Sequence, residues 1–224
     1  MYKLTVFDMD GTILDTLEDL KNSLNYALVQ NGMPARTLDE VRRFVGNGIG
    51  KLIERGVPEG CSEVQRLKVQ EEFFPHYAAH CNDNTRPYRG VTEVIAALRS
   101  AGYLTAVVSN KADFAVQDLC KIWFDGLFDA AVGEREGLRR KPAPDSVFEV
   151  CRLLKVSVEE AVYIGDSEVD LQTARNAGMD VISVDWGFRD AEYLKSIGAD
   201  KIVSTTEELA ACFGITLAKT VGEE

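Results

Sequence analysis

KLTVFDMDGT, residues 3–12, begins as an apolar strand-like run and ends on two carboxylates, a glycine and a threonine. Side chains at i and i+2 of a strand project to the same side, so Asp8 and Asp10 converge where the chain leaves the sheet. Gly11 permits a sharp turn at that point, and Thr12 follows it. Two carboxylates at one strand end suit a hard cation such as Mg²⁺, which takes a few carboxylates together with waters and phosphate oxygens. Taken alone, FDMDGT (7–12) also fits an acidic turn after a strand.

Outward from this run, the chain alternates strand-like and helix-like segments from Tyr88 onward. The apolar runs LTAVVS (104–109), FDAAVG (128–133), AVYIGD (161–166) and VISVDW (181–186) read as strands. VTEVIAALRS (91–100) and SVFEVCRLLK (146–155) read as helices, the latter with Val147, Phe148, Cys151 and Leu154 on one face. Such alternation implies an α/β fold with a Rossmann-like parallel sheet and helices on both faces, with ligands beyond the carboxyl ends of the strands. Residues 15–83 break the rhythm, having no convincing strand. Asp15 with Glu18, Thr37 with Glu40 and Ser62 with Gln65 mark helix starts, and Leu17, Leu20, Leu24 and Leu28 recur at helical spacing. The expected organisation is a core of residues 1–14 and 88–224, a helical bundle at 15–83, and a return hinge at 84–87. No internal repeat or low-complexity segment interrupts it.

Three further segments lie at or beyond predicted strand ends. VVSN (107–110) sets Ser109 and Asn110 where a hydroxyl and backbone N–H groups can hold an anion oxygen, although Ser-Asn is also ordinary turn chemistry. RRKPAPD (139–145) holds Lys141 on a loop, because Pro142 disfavours helix at the residue before it. GDSEVD (165–170) puts Asp166 at a sheet end and Asp170 one helical turn later; acids also favour a helix N-terminus for dipole reasons alone.

In this order and on successive strand ends, the four segments resemble the signature of the haloacid-dehalogenase superfamily, and the resemblance covers almost the whole chain. The inserted bundle resembles the helical cap of the phosphoglycolate-phosphatase and β-phosphoglucomutase relatives. FVGNGIGKLIERG (44–56) and VDWGFRDAEYLKSIGAD (184–200) look most like the phosphoglycolate-phosphatase branch. The resemblance implies a Mg²⁺-dependent phosphomonoester hydrolase that acts on a small phosphorylated metabolite. It assigns Asp8 as the nucleophile that forms an aspartyl-phosphate and Asp10 as the alternating acid and base. Mg²⁺ would be held by Asp8, the Asp10 carbonyl and Asp166. Gly11, Thr12, Ser109, Asn110 and Lys141 would hold the phosphoryl group, with Asp170 supporting Lys141 or the metal's waters. Alternatives within the architecture are a phosphosugar mutase and a pyrophosphatase or nucleotidase. A silent phospho-ligand module is disfavoured because Asp8, Asp10, Lys141 and Asp166 are all present.

Charge counting agrees. A phosphomonoester dianion beside ionised Asp8, Asp166 and Asp170 sums to about −5. At ~4 Å each unit pair contributes roughly 4 kcal/mol at an effective dielectric of 20, so a metal and Lys141 are both required. The same acidic crowding is expected to favour a protonated Asp10.

Softer signals lie in the bundle. The glycines of VGNGIG (45–50) either admit substrate or merely join two helices. Lys51 and Arg55 read first as solvated cations, with a substrate carboxylate as the alternative partner, and His76 and His80 as surface histidines. Trp186 and Phe188 read as packing residues. The 224-residue chain carries a net charge of −11, which disfavours nucleic-acid and anionic-membrane partners. Its five scattered cysteines read as buried reduced thiols. The opening MYKLTVFDMDGT lacks a leader pattern, so a cytoplasmic protein is expected, as a monomer or a homodimer.

Overall fold

The computed structural model describes residues 2–217. Met1 and residues 218–224, which the expected core range includes, lie outside the described residues. Strand β1 (Leu4–Phe7) is followed by a two-residue strand β2 (Leu14–Asp15) and four helices, α1 (Leu17–Gln30), α2 (Leu38–Phe44), α3 (Ile49–Gly56) and α4 (Glu63–His80). The chain returns through β3 (Arg86–Pro87), which pairs antiparallel with β2. It then alternates: α5 (Val91–Ser100), β4 (Leu104–Ala112), α6 (Asp113–Trp123), β5 (Ala130–Glu134), α7 (Asp145–Leu154), β6 (Ala161–Gly165), α8 (Glu168–Ala177) and β7 (Asp180–Val184). Helix α9 (Ala191–Ser196), strand β8 (Ile202–Val203) and helix α10 (Thr206–Ala211) complete the order.

The six-stranded sheet has the order β5-β4-β1-β6-β7-β8, and every pairing in it is parallel. Strand alternation sorts its side chains between two cores. Phe7, Val107, Val162 and Ile164 face one cluster with residues of α5, α6 and α10. Leu4, Val6, Ala106, Val108 and Tyr163 face the other, with residues of α7 and α8. From β1 the chain runs outward to β4 and β5, then crosses back to β6 and continues to the opposite edge. The reversal between β1 and β6 opens the crevice in which such sheets bind ligands.

Helices α1–α4 share a hydrophobic cluster of their own, built on Leu17, Leu20, Leu24, Leu28, Val41, Leu52, Ile53, Val69 and Phe73. Capping boxes at Thr37–Glu40 and Ser62–Gln65 start α2 and α4, satisfying backbone N–H groups that have no partner within the helix. Three local expectations need correction. Thr16, not Asp15, occupies the N-cap of α1, because Asp15 is held in the β2–β3 ribbon. In α7 the buried face is Val147, Val150 and Cys151, while Phe148 is 45% exposed; positions i, i+3 and i+4 from Val147 select Val150. The cysteines are free thiols, but only Cys151 is buried. Among the described residues no helix is long and apolar enough to cross a membrane.

Candidate active site

Asp8 leaves the C-terminal end of β1 and Asp166 the end of β6, on either side of the sheet's reversal. Asp170 stands in the first turn of α8, where its carboxylate accepts from the Ser167 N–H and hydroxyl at 3.1 and 2.6 Å. Ligand oxygens of Asp8, Asp166 and Asp170 lie within 4.8 Å of one another, and all three residues are buried. Burial and the nearby Asp170 push the Asp8 carboxyl up to about 7, against the pull of Lys141. Burial, Asp170 and Asp8 likewise raise Asp166 well above the usual carboxylate range.

Lys141 reaches this cluster from the loop between β5 and α7. Its ammonium is 2.8 Å from Asp8 Oδ1 and 2.7 Å from Asp170 Oδ1, and it donates to the Tyr163 hydroxyl at 3.0 Å. Burial works against that charge, but Asp170, Asp8 and Tyr163 outweigh it and raise the Lys141 pKa well above its ordinary value. The backbone of Lys141 is fixed by Asn110. The Lys141 N–H donates to Asn110 Oδ1 at 2.9 Å, and Asn110 Nδ2 donates to the Lys141 carbonyl at 3.1 Å. The Asn110 side chain thus locks the lysine loop to the end of β4, while Ser109 Oγ accepts from the Lys111 N–H at 3.2 Å.

Gly11 adopts φ +89°, and a Cβ there would overlap the Asp166 carboxylate. Thr12 Oγ1 donates to Asp166 Oδ1 at 3.1 Å, and the Phe188 N–H donates to Asp166 Oδ2 at 2.7 Å. Gly187 also lies so close to Asp166 that a side chain would displace it. The turn after β1 is therefore shaped around Asp166.

Sequence reasoning missed three residues. Lys111, buried at the end of β4, lies 2.7 Å from Asp10 Oδ1 and donates to the Tyr77 hydroxyl of α4 at 2.6 Å. Asp10 is therefore paired with a cation, a partner that the expected acidic crowding around it did not include. Two-residue strand alternation from Ser109 points to Lys111; nothing in the pattern of α4 singles out Tyr77. Tyr163 lies in an apolar strand, where a hydroxyl contact to a lysine on another loop leaves no sequence signal.

A cleft is enclosed between these groups and the helices. Its floor carries Asp8, Asp10, Ser109, Asn110, Lys111, Lys141 and Asp166; its roof carries Leu20, Val45, Ile49, Leu52 and Phe188. Arg189 ties the two sides together, bound to Glu168 at 2.9 Å and donating to the Arg42 and Val45 carbonyls at 2.9 and 3.1 Å. Lys51 pairs with Glu54, and Arg55 donates to Asn47 Oδ1 and the Phe44 carbonyl, both on the exposed side. His80 is exposed as expected, but His76 is half-buried, stacked on Tyr26 with Nδ1 3.0 Å from Ser23 Oγ, and neither lines the cleft.

The Haloacid dehalogenase-like hydrolase family model matches residues 5–184. The chain belongs to that family. It is 34% identical to a phosphoglycolate phosphatase of Mesorhizobium japonicum, with 98% of each chain covered. A second relative of the same name, from Caulobacter vibrioides, is 33% identical over 88% of this chain and 84% of the relative. A candidate phosphoglycolate phosphatase from Lactobacillus delbrueckii subsp. bulgaricus superposes with a TM-score of 0.91 at 42% identity, covering 94% of this chain and 98% of the other. CbbY from Rhodobacter sphaeroides, solved with phosphate, gives a TM-score of 0.73 at 25% identity over 93% and 96% of the two chains. The chain is a hydrolase of this family, similar over nearly its whole length to proteins named phosphoglycolate phosphatase.

The donor set fits a divalent metal. Buried carboxylate oxygens are the ligands Mg²⁺ takes, and three of them converge within coordination range. Each Asp170 oxygen already accepts two hydrogen bonds, Oδ1 from Lys141 and Tyr163 and Oδ2 from the Ser167 N–H and hydroxyl. Each Asp166 oxygen accepts one and Asp8 is engaged through Oδ1, so Asp8 and Asp166 keep lone pairs for a metal.

Proposed function

We propose that this hydrolase is a Mg²⁺-dependent phosphomonoester phosphatase acting on a small phosphorylated metabolite of the phosphoglycolate kind. The observation that carries the reading is the buried contact of Asp8 with Lys141 at 2.8 Å, at the sheet's reversal and beside Asp166. The names of the relatives support the same activity. Asp8 attacks phosphorus, forming an aspartyl-phosphate as the ester P–O bond breaks. Asp10 gives its proton to the departing alkoxide. It then takes a proton from the water that attacks phosphorus, which frees inorganic phosphate and regenerates Asp8.

Lys141 balances the charge of the incoming phosphoryl group, and Asp170 and Tyr163 hold its ammonium in place. Ser109 and the Asn110-fixed end of β4 face the phosphoryl oxygens, and Gly11 and Thr12 set the turn that carries Asp10. Mg²⁺, held by Asp8, the Asp10 carbonyl and Asp166, would supply positive charge for attack by one anion on another. Helices within 15–83 form a cap on the core of 1–14 and 88–224, hinged at the ribbon and at 84–87. Closure of that cap excludes water and completes the cleft.

The test is a release assay for inorganic phosphate over a panel of small phosphate esters with Mg²⁺. Hydrolysis concentrated on short phosphorylated acids is expected. Isomerised sugar phosphates without free phosphate would make the enzyme a mutase, and no turnover of any ester would refute the reading.

A further inference from the structure

The proposed chemistry uses every charged group on the cleft floor except Lys111. Its side chain is only 2% exposed, and a buried ammonium costs several kcal/mol in desolvation. Asp10 and the Tyr77 hydroxyl hold it in place. Among the described residues that line the cleft the cations are Lys111 and Lys141, and Lys141 is committed to Asp8 and Asp170. The surface facing them is apolar, with Leu20, Ile49, Leu52 and Phe188.

We infer that Lys111 is the specificity-determining residue that binds a carboxylate on the leaving group, and that it selects substrates in which one carbon separates that carboxylate from the ester oxygen. This rests on the phosphatase reading above. A general acid works within about 2.6–3.2 Å of the atom it protonates, so the ester oxygen lies one hydrogen bond from Asp10. Lys111 Nζ lies one further hydrogen bond away, 2.7 Å from Asp10 Oδ1. In a two-carbon acid the carboxylate carbon is two covalent bonds from the ester oxygen, which brings its oxygens beside that ammonium. Each added methylene pushes the carboxylate toward the apolar roof, where a charge has no partner. A neutral leaving group leaves Lys111 without an anionic substrate partner. Tyr77 fixes the direction of the ammonium from α4, so the selection also depends on where the helices sit over the core.

The experiment compares kcat/KM for phosphoglycolate, its three- and four-carbon homologues, and ethyl phosphate as the neutral match. Wild-type protein with Mg²⁺ should favour phosphoglycolate and lose preference with each methylene. Lys111→Met should lower the ratio of phosphoglycolate to ethyl phosphate by at least ~30-fold, as expected when one partner of a desolvated charge pair is removed. The change should fall mainly on KM, and Lys111→Arg should restore part of it. Because both substrates are measured on the same preparation, a loss of folded protein cancels from the ratio. An unchanged ratio in Lys111→Met overturns the inference while leaving the phosphatase reading intact. If that variant does not fold, the wild-type series decides, and equal kcat/KM along it overturns the inference. No hydrolysis of any ester by wild-type protein refutes both.

Discussion

Asp19 on α1 holds the point where the chain returns from the helices. Its buried carboxylate accepts from the Asn84 N–H at 3.0 Å, Asn84 Nδ2 at 2.8 Å, the Thr85 N–H at 2.8 Å and Thr85 Oγ1 at 2.8 Å. Asp19→Ala removes all four. The Thr85 hydroxyl also reaches the Cys81 carbonyl, and Asn84 is exposed enough to meet water. The Thr85 N–H, in a residue with no exposed surface, is left without a partner. An orphaned buried group costs about 1–3 kcal/mol, and hydrogen bonds to a charged group are worth about 1.5–3 kcal/mol each. Relief of the buried carboxylate offsets part of this, giving a net loss of about 2–4 kcal/mol. Were Asp19 only an acid in the first turn of a helix, its removal would cost about 0.3–1 kcal/mol. Thermal melts separate the two, since 1 kcal/mol moves Tm by about 2–4 °C in a chain of this size. A double-mutant cycle with Thr85→Ala should show a coupling above ~0.5 kcal/mol. A fall of less than ~2 °C with no coupling would refute the role given to the Asp19 hydrogen bonds.

Further outcomes follow from the same geometry. Tyr163→Phe removes a hydroxyl 3.0 Å from Lys141 and 3.2 Å from Asp170, and should cost about 1–2 kcal/mol in a urea melt with a lower kcat. Gly11→Ala forces a side chain onto the Asp166 carboxylate at φ +89°; activity should be lost, with calorimetry showing weakened Mg²⁺ binding. Chelation by EDTA should remove activity, and Mg²⁺ should restore it better than Ca²⁺, which takes more ligands at longer distance. Full activity after exhaustive chelation would remove the metal from the account.

The parallel sheet was readable because each strand is a short apolar run broken by turn residues, and because a parallel sheet needs a crossover helix between strands. That Asp8, Lys141 and Asp166 come together could be anticipated because each lies beyond the carboxyl end of a strand, where the topology gathers the loops; Ser109 lies inside β4, shortly before its end at Ala112. Tyr163 and Tyr77 were not, since their hydroxyls act across 22 and 34 residues of sequence on lysines held in place by tertiary packing. The β2–β3 ribbon escaped notice for a similar reason. Two residues on either side carry no period, and Pro87 offers no N–H to mark a strand. Phe148 misled because apolar character alone does not settle which side of a helix is buried; Val150 completes the stripe.

The central claim is that Asp8 carries the phosphoryl group during turnover. Wild-type protein turning over a substrate labelled in its phosphoryl group is quenched in acid and digested, and the labelled peptide is mapped. The account predicts label on Asp8, released by hydroxylamine as an acyl phosphate is, and no label or phosphate release in Asp8→Asn. Label on any other residue, or wild-type turnover by a clean preparation of Asp8→Asn, would contradict it.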